Sequence, residues 1–315
     1  MIYLNDAEID ALVDVDQAIP VLERAFREQA QGRAAVQRRI RTEAGGVKLS
    51  TLGAVLPDAG VAGAKVYTTI NGRFSFAIVL FSTHDGALLA TLEANTLTRI
   101  RTAATTVVAV HALARSDARS AAIYGTGVQG QAHARALAEH TGLTSFRLVG
   151  LDGVEALAAQ LNAEYGPRGI EVMPADAASA VRGADVIVTA TRATGPLFDG
   201  ASVAHGTLVA AIGSSLPYTR ELDDVTVARA TRVVVELIEQ ATEEAGDLVQ
   251  AAGVLDWGKV VELGDVLAGS APGRVNPDEI LVYKAVGIGL QDIALAGLAY
   301  RNHVARVASR EGTGR

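Results

Sequence analysis

The 315-residue chain has no cysteine, which excludes disulfides, thiolate nucleophiles and cysteine-ligated zinc, and which suits a reducing compartment. It has no uninterrupted apolar run of bilayer-spanning length. Its opening residues, MIYLNDAEIDALVDVDQ, are acidic and amphipathic where a signal peptide would be basic and then apolar. A cytoplasmic protein with no membrane partner is therefore expected. Excess basic charge is missing too: the net charge is -7, opposite in sign to the footprint that nucleic acid demands, so no nucleic-acid partner is expected. Only four of the 28 cationic side chains are lysines, at 48, 65, 259 and 284. Histidines 84, 111, 133, 140, 205 and 303 have none of the spacings of a metal site, and no metal is expected. Internal repeats and low-complexity segments are absent as well.

What is present is apolar content, 49% of the chain, enough for two domains or one elaborated α/β unit. IYL reads as a short strand, followed by helices in DAEIDALV and DVDQAIPVLERAFREQAQG, with Asn5 or Asp6 and Asp14 or Asp16 as N-caps. Residues 34–93 alternate in a strand-like way between Gly, Pro, Asn and Asp turns, the signature of a mostly antiparallel sheet. LTRIRTAATTVVAVHALA is helical in spacing, and from 120 onward short apolar strands alternate with helices, which implies a parallel sheet. The tail from 279, EILVYKAVGIGLQDIALAGLAYRNHVARVA, reads as one long helix returning to the N-terminal block. The expected fold class is α/β: a Rossmann doubly wound parallel sheet over 119–278 plus an α+β domain over 1–118, joined by the helix 279–315.

AAIYGTGVQGQAHARAL sets Gly125, Gly127 and Gly130 as G-x-G-x-x-G between a strand and a helix. Glycines there allow a tight turn and let a pyrophosphate approach the unpaired N–H groups of the helix start, so Val128 and Gln129 join the expected cofactor contacts. The second strand ends in LVGLDG. Gly150 stands where an acid usually takes the ribose, and Asp152 follows two places later, as ribose ligand or as helix N-cap. With no arginine to meet a 2'-phosphate, NAD is expected, with NADP as the alternative. Thr189, Thr191 and Gly213 end later strands on the edge where such cofactors lie, although the threonines are also ordinary strand residues.

Together GAKV (63–66), LTRIRTAA (97–104), GTGVQGQAH (125–133), RGADVIVTAT (182–191), EAGDL (244–248), APGR (271–274) and KAVGIGLQD (284–292) resemble the ornithine cyclodeaminase/mu-crystallin family, in the family's order and over nearly the whole chain. The resemblance implies a Rossmann domain, a substrate domain whose β block forms a homodimer interface, and NAD(P)-linked chemistry at the carbon bearing an amino or imino group. It places Lys65 and Arg101 on the substrate carboxylate as the catalytic pair, Arg39 beside them with Arg38 and Arg41 as rival registers, and Arg101 and Thr102 near the cofactor. Lys65, Tyr67 and Thr69 share one face of their strand. Arg101, near a helix start, opposes the macrodipole unless an anion is bound.

The resemblance also exposes two departures. Where cyclodeaminases carry a glutamate for the distal amine, this chain carries Lys48, either a selector for acidic side chains or a solvated edge lysine. Where they carry a proton-transferring aspartate, it has Ser215, which without a base cannot act as a general acid near neutral pH. Cyclodeamination is disfavoured. Reduction of an α-imino acid to an L-amino acid is expected, with iminosuccinate as first choice and Ser215 among the substrate contacts. Alanine-type dehydrogenation, cyclic ketimine reduction and a non-catalytic NAD(P)H-dependent binding protein are the alternatives. Asp292, isolated in an apolar helical run, is expected to make a structural hydrogen bond or a domain contact.

Overall fold

The computed structural model describes residues 2–313. Its contacts divide the chain into two compact units, one made of residues up to 105 with those from 288 on, the other of 106–287. The first begins with β1 (Ile2–Leu4), α1 (Asp6–Asp10) and α2 (Val15–Ala30). Asn5 caps α1 in a reciprocal capping box with Glu8, and Asp14 caps α2 through the Gln17 N–H, which settles both pairs of alternative caps. Strands β2 (Ala35–Ala44), β3 (Val47–Leu56), β4 (Val61–Ile70), β5 (Arg73–Ser82) and β6 (Leu88–Glu93) then form an antiparallel meander, with β1 parallel to β6 at its edge. Alternation decides its faces. Leu52, Lys65, Ile78 and Leu92 lie in register on the inner face, while Leu49, Val55, Ile70 and Phe81 stand exposed on the other.

Helix α3 (Asn95–Leu113) leads into the second unit. There β7 (Ser120–Tyr124), α4 (Val128–His140), β8 (Ser145–Val149), α5 (Val154–Tyr165), β9 (Glu171–Pro174), α6 (Ala177–Ala180) and β10 (Val186–Thr189) alternate as the sequence rhythm requires, and a loop leads from β10 to β11 (Leu208–Ala211). They are followed by α7 (Asp224–Arg229), β12 (Arg232–Val235), α8 (Ile238–Glu244), α9 (Gly246–Val249), β13 (Val260–Glu262), α10 (Leu263–Ala268) and β14 (Leu281–Lys284). The strands make one parallel sheet in the order β13-β12-β14-β11-β10-β7-β8-β9. Strand order therefore reverses between β7 and β10, the Rossmann switch point.

Two expectations need correction. The tail is not one helix from 279: residues 281–284 form β14, and only from Gly289 does the chain become α11 (Gly289–Thr313). A strand buried on both faces reads as a continuous apolar run, which periodicity alone cannot tell from buried helix. The break was marked by Gly287, at φ 76. Positions 314 and 315 of the expected 279–315 segment, and residue 1 of 1–118, lie outside the described residues. The division between units also falls at 105/106 and 287/288, not at 118/119 and 278/279. An unbroken helix such as α3 carries no shift in composition where its packing partners change.

In the first unit α11 buries Leu290, Ile293 and Ala294 against the inner face of the meander, and its start lies on β3 with no room for a side chain. A Cβ on Gly289 would stand 2.3 Å from the Gly53 carbonyl oxygen. Gly289→Ala is expected to destabilise the protein by about 2 kcal/mol or more, as overpacking against backbone does, seen as a lower denaturation midpoint in urea.

Candidate functional site

In the second unit the three glycines of the β7–α4 turn have different reasons to be glycine. A Cβ on Gly130 would lie 1.8 Å from the Gly125 carbonyl oxygen, and one on Gly125, at φ 115, would lie 2.6 Å from the Ala190 carbonyl. Both are demanded by the chain's own packing. Gly127 is not: its φ is -75 and nothing lies within 4 Å of the Cβ position. It is also the N-cap of α4, with no side-chain cap, and Val128 beside it is 67% exposed. The side-chain oxygen of Gln129 is buried without a hydrogen-bond partner. An uncapped start of a 13-residue helix with open room at its cap fits a dinucleotide pyrophosphate. Gly150 is explained by Thr126, whose side chain would lie 2.7 Å from a Cβ there, so no acid fits at that position. Asp152 is exposed, and α5 is capped by Gly153 with no side-chain cap, which removes the N-cap role for Asp152 and leaves its carboxylate open to a ribose.

At the carboxyl ends of β10 and β11 the structure reveals a residue to which the sequence reading gave no role. Glu221 is fully buried, and its carboxylate accepts four hydrogen bonds. Thr189 Oγ1 and Gly213 N–H donate to Oε2, each at 2.8 Å. Thr191 N–H and Oγ1 donate to Oε1, each at 2.7 Å. Asp247 Oδ1 accepts from the backbone N–H groups of Glu221 (2.6 Å) and Leu222 (2.8 Å), and its Oδ2 pairs with the buried Lys284 ammonium at 2.9 Å. Lys284 in turn donates to the Ala211 and Ser214 carbonyls at 3.2 and 2.6 Å. Thr189, expected on the cofactor, is fully buried with its hydroxyl on Glu221. Gly213 is glycine because a Cβ would stand 2.2 Å from the Thr191 carbonyl. Ser214 is buried and bonded to the Thr219 carbonyl, while Ser215 is half-buried.

In the first unit, β4, α3 and α11 bring charged groups together on the inner face of the meander. Lys65, Arg101 and Asp292 are all buried. Lys65 Nζ donates to Thr98 Oγ1 at 2.7 Å and to Asp292 Oδ1 at 3.1 Å, and lies 4.4 Å from the Phe76 ring centre. Arg101 Nε is 3.4 Å from the same Asp292 oxygen, and Arg101 Nη1 donates to Gln291 Oε1 at 3.0 Å. Arg101 is in the second turn of α3, which begins at Asn95, so Asp292 and Gln291 hold it rather than a dipole at the helix start. Thr102 donates to the Thr98 carbonyl of its own helix. Asp292 is thus an ionic partner, and its Oδ2 has no hydrogen-bond partner. Burial lowers the Lys65 pKa to about 8, with Asp292 pulling it up and Arg101 and Arg39 pushing it further down. Arg39 acts from the β-bulge between Gln37 and Ile40. Two buried cations, Lys65 and Arg101, share one carboxylate, and a buried excess of positive charge calls for an anion.

Lys48 departs from expectation. Its ammonium pairs with Glu43 at 3.2 Å, directly across the β2–β3 hairpin. The cause was legible: Gly45 and Gly46, both at positive φ, make a two-residue turn that puts Glu43 opposite Lys48. Lys48 is also in register with Thr69, four residues along β4 from Lys65, about 13 Å at strand rise. Leu52 stands opposite Lys65 instead. Beyond it lie Tyr67, Phe74 and Phe76, in mutual ring contact, and Ser50, whose hydroxyl is buried without a hydrogen-bond partner. Among the described residues no group of His, Asp and Glu is placed to hold a metal ion, and no helix is long and apolar enough to cross a membrane.

A sequence profile of the ornithine cyclodeaminase/mu-crystallin family matches residues 2–306. The probable ornithine cyclodeaminase from Bordetella pertussis Tohama I superposes with a TM-score of 0.93 at 50% identity, covering 97% of this chain and 98% of its own. The Thermococcus litoralis Delta(1)-pyrroline-2-carboxylate reductase, solved in complex with NADH and L-proline, superposes at 0.90 with 29% identity, over 97% and 98% of the two chains. A Delta(1)-pyrroline-2-carboxylate reductase of Bacillus cereus is 35% identical over 269 residues, 84% of this chain and 79% of the relative.

The glycine turn separates packing from binding. Gly127→Ala is expected to leave the melting temperature within about 1 °C and to weaken dinucleotide binding at least tenfold by titration calorimetry, a cost of about 1.4 kcal/mol. Gly130→Ala, which collides with backbone, is expected to lower the melting temperature by several degrees, roughly what 1–3 kcal/mol of overpacking produces.

Proposed function

The chain belongs to the ornithine cyclodeaminase/mu-crystallin family, and we propose that it is an NAD-dependent reductase of α-imino acids, forming L-amino acids. The observation that carries this reading is the buried Lys65–Arg101–Asp292 cluster with its excess positive charge. When bound, the reduced dinucleotide supplies the hydride, and the open cap at Gly127 with the exposed Asp152 carboxylate suits NAD. Arg101 and Arg39 hold the substrate α-carboxylate. Lys65 orients it and gives a proton to the imine nitrogen, which makes the carbon a better hydride acceptor. The unpartnered Asp292 Oδ2 accepts the resulting N–H. Burial keeps water from competing for these groups.

The same reading revises the substrate. Lys48 favoured iminosuccinate, but its charge is matched by Glu43, and beyond Thr98 and the charged cluster the neighbours of Lys65 on the inner face of the sheet are Leu52, Ile78 and Phe76, with Ser50 opposite Tyr67 one step along. We propose a cyclic or short apolar imino acid, such as Delta(1)-pyrroline-2-carboxylate or the imine of pyruvate. Purified protein with NADH is expected to turn these over faster than oxaloacetate with ammonia, and no NADH oxidation with any of them would defeat the reductase reading. Lys65→Ala is expected to lower kcat/KM by about 10³-fold while NADH still binds. In the wild type, kcat/KM for reduction is expected to be flat below pH 8 and to fall as the pH rises through about 8 and Lys65 loses its proton. Oxidation of the amino acid needs the neutral amine and is expected to rise through the same range.

We also propose a second copy of the chain as partner. The outer face of the meander exposes Val47, Leu49, Val55, Ile70 and Phe81 together, a contiguous apolar face of the kind that marks an interface. The wild type is expected to sediment as a dimer, and a Leu49→Asp/Ile70→Asp variant as a monomer.

A further inference from the structure

We propose that Glu221 is an electrostatic positioning residue whose buried charge makes the second unit bind the oxidised, cationic nicotinamide ring more tightly than the reduced, neutral one. The proposal rests on the dinucleotide reading above and concerns a residue outside the phosphate turn.

Three observations carry it. First, the four donors on Glu221 are all neutral hydroxyl or backbone groups, and an ionised carboxylate, which only accepts, is the group whose two oxygens satisfy four donors at once. Second, no cation cancels that charge. Among the described residues Glu221 has no ion pair; Lys284, the buried ammonium of the network, is matched to Asp247 at 2.9 Å, and Arg220, next in the chain, is engaged with Asp224 at 2.7 Å. Glu221, Asp247 and Lys284 are all fully buried, so two carboxylates and one ammonium leave a net negative charge that salt screens little. Third, the charge has a defined address. A dinucleotide crosses the sheet where the strand order reverses, with its pyrophosphate at the start of α4, so its second half lies over the carboxyl ends of β10 and β11. Glu221 ties those two ends together through Thr189, Thr191 and Gly213. The oxidised ring carries a positive charge and the reduced ring carries none, so the carboxylate attracts one and leaves the other unaffected.

The test is the ratio of the dissociation constants for NAD+ and NADH, each measured by titration calorimetry on the full-length protein without substrate. Glu221→Gln is expected to raise that ratio on the order of tenfold, the effect of removing a unit charge about 10 Å from the ring in a medium of effective dielectric near 20. Thr189→Val removes one donor and no charge, and is expected to change both constants together with the ratio preserved. If Glu221→Gln does not melt cooperatively, Asp247→Asn removes the same net charge and is expected to raise the ratio likewise. An unchanged ratio in the folded charge variant overturns the proposal, whether or not both affinities fall, because a purely structural clamp would weaken the two forms alike. A wild type that binds neither nucleotide overturns the dinucleotide reading itself.

Discussion

A charged group taken out of water must meet an opposite charge or a full set of hydrogen bonds, and both units are arranged around that constraint. In the first, the shared Asp292 oxygen lets Lys65 and Arg101 stay buried a few ångströms apart. Without it, two like charges would repel inside the protein. The start of α11 is placed accordingly: Gly289 brings the helix close to β3, and Gln291 and Asp292 follow within the same turn. The second unit meets the same constraint with reversed sign, its lysine matched and its surplus carboxylate satisfied by four neutral donors. Neither arrangement is chiefly a source of stability, since apolar residues of similar volume often serve a core as well. What they provide is fixed charge at fixed places.

Much of this was legible in the chain itself. Alternation in residues 34–93 was a sufficient guide to the meander because its two faces differ in burial, and the strand–helix rhythm after 120 marked the parallel sheet. The tail was opaque because β14 is buried on both faces and reads like the helix that follows. That Lys65 and Arg101 meet was legible through the resemblance. Asp292 stood out only as a charge among apolar residues, and the identity of its partners depended on three elements far apart in the chain. Glu221, Asp247 and Lys284 lay in plain view, but nothing local says that a loop glutamate, a helical aspartate and a strand lysine will meet. Lys48 is the opposite case, since the Gly45–Gly46 turn already fixed its partner and that local geometry outweighed the alignment.

The glycine motif shows why a pattern is weaker evidence than its physical reasons. Gly125 and Gly130 would be glycine in any tight strand–turn–helix of this shape, with or without a ligand. Only Gly127 lacks an internal reason, and only its openness speaks of something bound.

The position of β14 has a consequence for how the chain is made. β11 and β12 do not pair with each other; each pairs with β14, which comes later in the chain than both. As the chain leaves the ribosome, the parallel sheet can assemble from β7 to β11 but stays split until residue 284 has emerged. A nascent chain cut short before that point exposes two unpaired strand edges lined with valine and alanine, the kind of surface on which chains aggregate. A four-residue strand made well after both of its partners thus decides when the second unit becomes safe from its neighbours.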